Sequence, residues 1–155
     1  MAGKLGGVLK FWLPVAVWIG WIFFASTDLM SAEHTSRFLV PFLRWLKPDI
    51  TPYTIASIQV VIRKCAHVIE YTILAMLLWR AIHNQSAKWG SRFAVAAAMT
   101  LVLATICAAI DEFHQSFVPS RTSSPGDVML DSCGAFVGLT LCWLSERHRS
   151  RSDRA

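Results

Sequence analysis

Four apolar runs, each long enough to cross a bilayer, constrain this chain more than any other feature. They fall at roughly 8–25, 58–82, 93–110 and 128–145. A spanning helix needs about 20 mostly apolar residues. Inside hydrocarbon the backbone amides find no water, so each run must satisfy its own hydrogen bonds as a helix. The expected fold is all-α: a four-helix transmembrane bundle, with residues 1–155 forming one membrane domain. Composition agrees, since only 16% of residues are charged, against about 25% in soluble domains.

The first run has the basic start of a signal peptide, with Lys4 and Lys10 ahead of Phe11 to Ala25. No small-x-small cleavage site follows, and Trp12, Trp18 and Trp21 are bulky, so the run reads as a retained span. Basic residues precede span one (Lys4, Lys10), flank the second connection (Arg80, Lys88, Arg92) and follow span four (Arg147, Arg149, Arg151, Arg154). With four spans these places share one side, which the positive-inside rule makes cytoplasmic. The tail 146–155 then lies against anionic lipid. Nucleic acid is not an expected partner, because the aromatic residues sit in the spans rather than beside the basic tail.

Residues 29 to 56 form the longest connection. Within it, Thr35 to Leu46 alternates apolar and basic residues at helical spacing, which suits a short interfacial helix, bent by Pro41. Pro48 and Pro52 read as a turn that excludes helix, leaving Thr54 or Ser57 to cap the second span. Ser26, Thr27 and Asp28 either cap the next segment or line an outer site. Residues 83 to 91 read as a solvated turn without chemistry. Alanine-rich span three reads as the central helix, because small residues allow close approach. Four cysteines lack a Cys-x-x-Cys pair, which argues against a thiolate zinc site. They read as buried small hydrophobes.

The polar residues in the apolar segments carry the chemistry, because charge at membrane depth is costly and generally functional. Lys64, His67, Tyr71 and Leu74 share one helix face, with Glu70 beside it. Asp111, His114 and Gln115 share another if span three continues to Pro119. Asp127, Asp131, Gly134 and Gly138 form one stripe. The Gly134-x-x-x-Gly138 pair presses that stripe against a neighbouring helix, so both aspartates point into the bundle.

Two stretches resemble the VanZ-like family: Arg63-Lys64-Cys65-Ala66-His67-Val68-Ile69-Glu70-Tyr71, and Asp111 to Arg121, with Asp127 and Gly134 following. Phe24 to Thr27 is similar to the family's aromatic-serine end of the first span. Ser120 in place of a glycine and Thr27 in place of a serine are departures. The resemblance implies a multi-pass bacterial membrane protein, and the family's namesake is linked to resistance to the glycopeptide teicoplanin. It implies no established reaction.

The expected site therefore lies on the outer side of the bacterial cytoplasmic membrane, both termini being inside. It takes an anionic, lipid-linked envelope substrate. Lys64, Gln115 and Arg121 bind it. His67, Glu70, Asp111 and His114 supply acid–base catalysis for phosphoester hydrolysis or transfer. Asp127 and Asp131, with a histidine, are candidate ligands for a divalent metal ion. The alternatives are a proton or ion transporter, and an accessory envelope protein whose charges form a structural ion-pair network.

Overall fold

A computed structural model describes residues 2–27, 32–86, 93–118 and 124–152. Asp28, Lys88, Arg92, Pro119, Ser120, Arg121 and Arg154 lie outside them. Among the described residues five helices follow one another: α1 (Ala2–Ala25), α2 (Ala32–Leu46), α3 (Pro52–Ser86), α4 (Phe93–Gln115) and α5 (Pro125–Ser152). All but α2 are long and apolar enough to cross a membrane.

Helix ends explain where the spans differ from their sequence outline. Thr51 starts α3: its Oγ1 accepts the Thr54 amide at 3.2 Å, and Pro52 occupies the first helical position. Proline is suited there because it lacks only a donor that the first turn leaves unpaired. Thr54 and Ser57 therefore do not cap the helix, and Pro52 opens it instead of excluding it. The same device opens α5, where Ser124 precedes Pro125 and the Asp127 amide bonds the Ser124 carbonyl at 2.9 Å. Glu112 of α4 accepts the Ser124 amide at 2.9 Å, fixing where α5 departs. At the other end α3 continues to Ser86, so His83 and Asn84 are helical and not part of a turn.

The topology is up-down-up-down. α1 and α4 run one way, α3 and α5 the other. Helix α3 touches all the other helices and forms the hub, a place the sequence had suggested for α4. The alanines of α4 do allow close approach, but only along one stripe, from Ala96 through Thr100, Ala104 and Ala108 to Asp111. Val95, Met99, Val102, Ile106 and Ile110 face outward, as a lipid-facing helix requires.

The tightest seam joins α3 to α5. A Cβ placed on Gly134 would sit 2.6 Å from the Val68 carbonyl oxygen, and one on Gly138 would collide with that of Thr72. Only glycine lets these backbones meet. The seam is reinforced where Thr72 Oγ1 donates to the Gly134 carbonyl at 2.9 Å. Similar bonds tie Trp18 Nε1 of α1 to the Glu70 carbonyl at 2.9 Å and Thr105 of α4 to Ser132 of α5 at 3.1 Å. Such bonds matter in a bilayer because helix association there gains nothing from hiding apolar surface from water.

Among the described residues helix α2 touches only α3, where Gln59 Nε2 donates to Ser36 Oγ at 2.6 Å. Phe38, Phe42 and Trp45 fall on one exposed face, the pattern of a helix lying in a membrane interface. The cysteines are free, and Cys65 and Cys133 are exposed. The expectation that all four are buried is corrected: Cys107 and Cys142 are only half-buried, and Cys65 and Cys133 are exposed.

Candidate functional site

The site forms where the C-terminal ends of α1 and α4 meet the first turns of α5 and the middle of α3. Because α4 stays helical to Gln115, Asp111 and Gln115 are one turn apart on its inner face. Gln115 Nε2 donates to Asp111 Oδ2 at 2.9 Å and to Ser26 Oγ at 3.1 Å. Ser26 thus lines the cluster. Thr27 instead turns back, its Oγ1 donating to the Phe24 carbonyl at 2.7 Å.

From α3, His67 reaches Asp131 of α5, with Nδ1 3.4 Å from Oδ1. His67 is 8% exposed, while Asp111 and Asp131 are fully buried. Asp111 and Glu70 lie within charge–charge range of the same imidazole. Tyr71, one turn beyond His67, is also fully buried and lies within range of Asp111 and Asp131. The stripe of aspartates and glycines explains this placement: the close α3–α5 seam at Gly134 brings Asp131 against His67.

The cluster is under-satisfied. Among the described residues, His67 Nδ1, Tyr71 Oη, Asp111 Oδ1, His114 Nδ1 and both Asp131 oxygens are buried without a hydrogen-bond partner. A buried polar group without a partner costs about 1–3 kcal/mol, more when charged. Several in one place are a poor way to build a stable bundle and call for an explanation, a catalytic role or a bound water or ion among them.

The remaining expected residues are distributed around this core. Lys64 stands at its rim, Nζ 3.4 Å from Asp127 Oδ1, with side chains 50% and 14% exposed. The expectation that both aspartates point into the bundle holds fully for Asp131 and in part for Asp127. Glu70 is half-buried one turn from His67. His114 meets Phe23 of α1 edge-on, with ring centroids 5.9 Å apart. Arg121 lies outside the described residues. Among the described residues no three His, Cys, Asp or Glu side chains gather closely enough to hold a metal ion.

Two participants carried no assigned role in the sequence reading. Tyr71 was placed on the right face, but a tyrosine in an apolar helix is ordinarily a packing residue. Glu112 lies within the Asp111 to Arg121 stretch, where the residue type alone assigns it no partner. Its actual partner is a backbone amide twelve residues away, which helical periodicity does not reveal.

The family model described as VanZ/LLP1 matches residues 11–146. No curated protein and no solved structure matches the chain.

Proposed function

Because the chain belongs to the VanZ/LLP1 family of membrane proteins, we propose that its polar cluster binds and acts on the head of an anionic, lipid-linked envelope substrate. The observation behind this reading is the set of orphaned polar atoms that His67, Tyr71, Asp111 and Asp131 bring together from three helices. Lys64 and Arg121 would supply positive charge for a phosphate, Arg121 by its bidentate fork. His67 is the general base. It accepts the proton of an attacking hydroxyl, and Asp131 beside it stabilises the imidazolium so formed. Asp111, anchored by Gln115, and the Tyr71 hydroxyl are the groups placed to return a proton to the leaving oxygen. The reaction class is phosphoester hydrolysis or transfer. Asp131 thereby takes an acid–base role in place of a metal-ligating one.

The proposed orientation puts both chain termini in the cytoplasm of a bacterium. Lys10, Arg80, Arg147, Arg149 and Arg151 gather at the end of the bundle opposite the cluster, and the positive-inside rule assigns that end to the cytoplasm. The cluster then faces the outer leaflet.

A second reading, a proton relay, draws support from the complete burial of Asp111 and Asp131. Protons pass where a phosphate does not, and intramembrane acid–histidine chains are typical of such relays. One experiment separates the two. The protein is reconstituted in vesicles of bacterial lipid extract, phosphate-bearing lipids are followed by mass spectrometry, and internal pH is followed by a dye. Turnover of a phosphate-bearing lipid that falls about 100-fold in H67Q and D131N, with insertion unchanged, supports the enzyme. Proton flux lost in the same variants, with every lipid unchanged, replaces it with the relay.

A further inference from the structure

We infer that a second site, at the opposite end of the bundle, binds the phosphate headgroup of an anionic phospholipid. A cleft of about 600 Å³ opens there between α1, α3 and α5. Its lining mixes apolar Phe11, Met76 and Cys142 with polar Arg80, Asn84 and Arg149. This inference is independent of the chemistry proposed for the cluster around His67.

The charges in the cleft are unbalanced. Its one lining carboxylate, Glu146, is already engaged: its Oε1 accepts Trp79 Nε1 at 3.0 Å and lies 3.5 Å from His83 Nδ1. The His83 ring stacks on Trp79 at 4.7 Å, with 13° between planes. The buried indole and the imidazole thus both contact this carboxylate where α3 meets α5. Arg80 and Arg149 are both exposed, and among the described residues neither has an acidic partner. Arg80 instead sits over the Phe11 ring, 5.3 Å from its centroid, where Lys10 also approaches at 6.0 Å. The ring holds cations by their attraction to its face and keeps them at the cleft without neutralising them.

Two guanidinium groups beside a hydrogen-bonding amide suit a phosphate, which takes Arg in a bidentate fork. The apolar part of the lining distinguishes a lipid from a soluble phosphate. Phe11 and Met76 belong to helix faces that run on into the spanning region, where acyl chains lie. Basic pockets between helices at the basic end of a membrane protein are the usual place for anionic headgroups.

The test is native mass spectrometry of the full chain in detergent, titrated separately with phosphatidylglycerol, phosphatidylcholine and glycerol 3-phosphate. The wild type should bind phosphatidylglycerol about tenfold more tightly than phosphatidylcholine, the ratio expected of a single charged-group preference. The double variant R80Q/R149Q should weaken phosphatidylglycerol binding about 30-fold, two basic residues at roughly 1 kcal/mol each. The control R147Q/R151Q removes equal charge outside the cleft and should stay within about threefold of wild type. Equal binding of the two lipids would overturn the inference, as would equal losses in both double variants, which would assign the effect to the tail as a whole. Displacement of phosphatidylglycerol by equimolar glycerol 3-phosphate would overturn the lipid assignment in favour of a soluble phosphate. If R80Q/R149Q fails to fold, R149Q alone, on an exposed turn of α5, carries the test with an expected loss of about fivefold, and no loss refutes the site.

Discussion

Replacing Gly134 by alanine measures how closely α5 must lie on α3. The added Cβ would stand 2.6 Å from the Val68 carbonyl oxygen and 3.1 Å from its Cα, where ordinary contact begins at 3.4 Å. The obstacle is backbone, which cannot rotate aside, so the two helices must part by up to about 0.8 Å. Overpacking of this kind costs about 1–3 kcal/mol. Parting also weakens the Thr72–Gly134 hydrogen bond, worth about 0.6 kcal/mol in a membrane protein. Alanine returns about 1 kcal/mol through its better helix propensity. The expected net loss is about 2 kcal/mol, near the upper end because nothing flexible can yield. Gly20 supplies the control, since a Cβ there meets nothing within 4 Å, and G20A should be neutral or up to about 1 kcal/mol more stable. The assay is reversible unfolding in mixed micelles by increasing denaturing detergent, with free energies taken from the midpoints and slopes. G134A unfolding at the same free energy as G20A would refute the close-seam account. The double variant G134A/G138A should lose less than the sum of the single losses, because one separation of the helices relieves both clashes.

Two further outcomes follow from the polar residues. D131N should unfold within about 0.5 kcal/mol of wild type, or at a higher free energy, because it removes a buried charge whose oxygens have no hydrogen-bond partner among the described residues. A loss above about 3 kcal/mol in the same detergent assay would mean that Asp131 and His67 form a structural ion pair. K64M should change stability by no more than about 0.5 kcal/mol, since the Lys64–Asp127 pair is long and Lys64 is half exposed. The comparison is made at low and high salt, and a larger, salt-insensitive loss would place that pair in a drier setting than its exposure indicates.

The membrane character of this chain, its four spans and the separate helix after the first were all legible in the sequence. Length and apolarity alone decide whether a segment can bury its backbone in lipid. The faces were legible too. Period-3.6 spacing placed His67 with Tyr71, and Asp131 with Gly134 and Gly138, on single stripes. Which stripe meets which is a different kind of fact. Nothing in the spacing says that α3, rather than alanine-rich α4, is the hub. Small residues permit close approach without choosing a partner, and the choice falls to α5 because its two glycines fit the Val68 and Thr72 carbonyls of α3. That one registration brings Asp131 against His67. It leaves Asp111 to Gln115 and Ser26, and it turns His114 toward Phe23. It also brings Glu146 to Trp79 and His83, so that residues that read as a solvated turn become a wall of the basic cleft. A sequence states which side chains share a helix face. The pairing of faces depends on backbone-to-backbone distances between segments tens of residues apart, and only the packed bundle sets those.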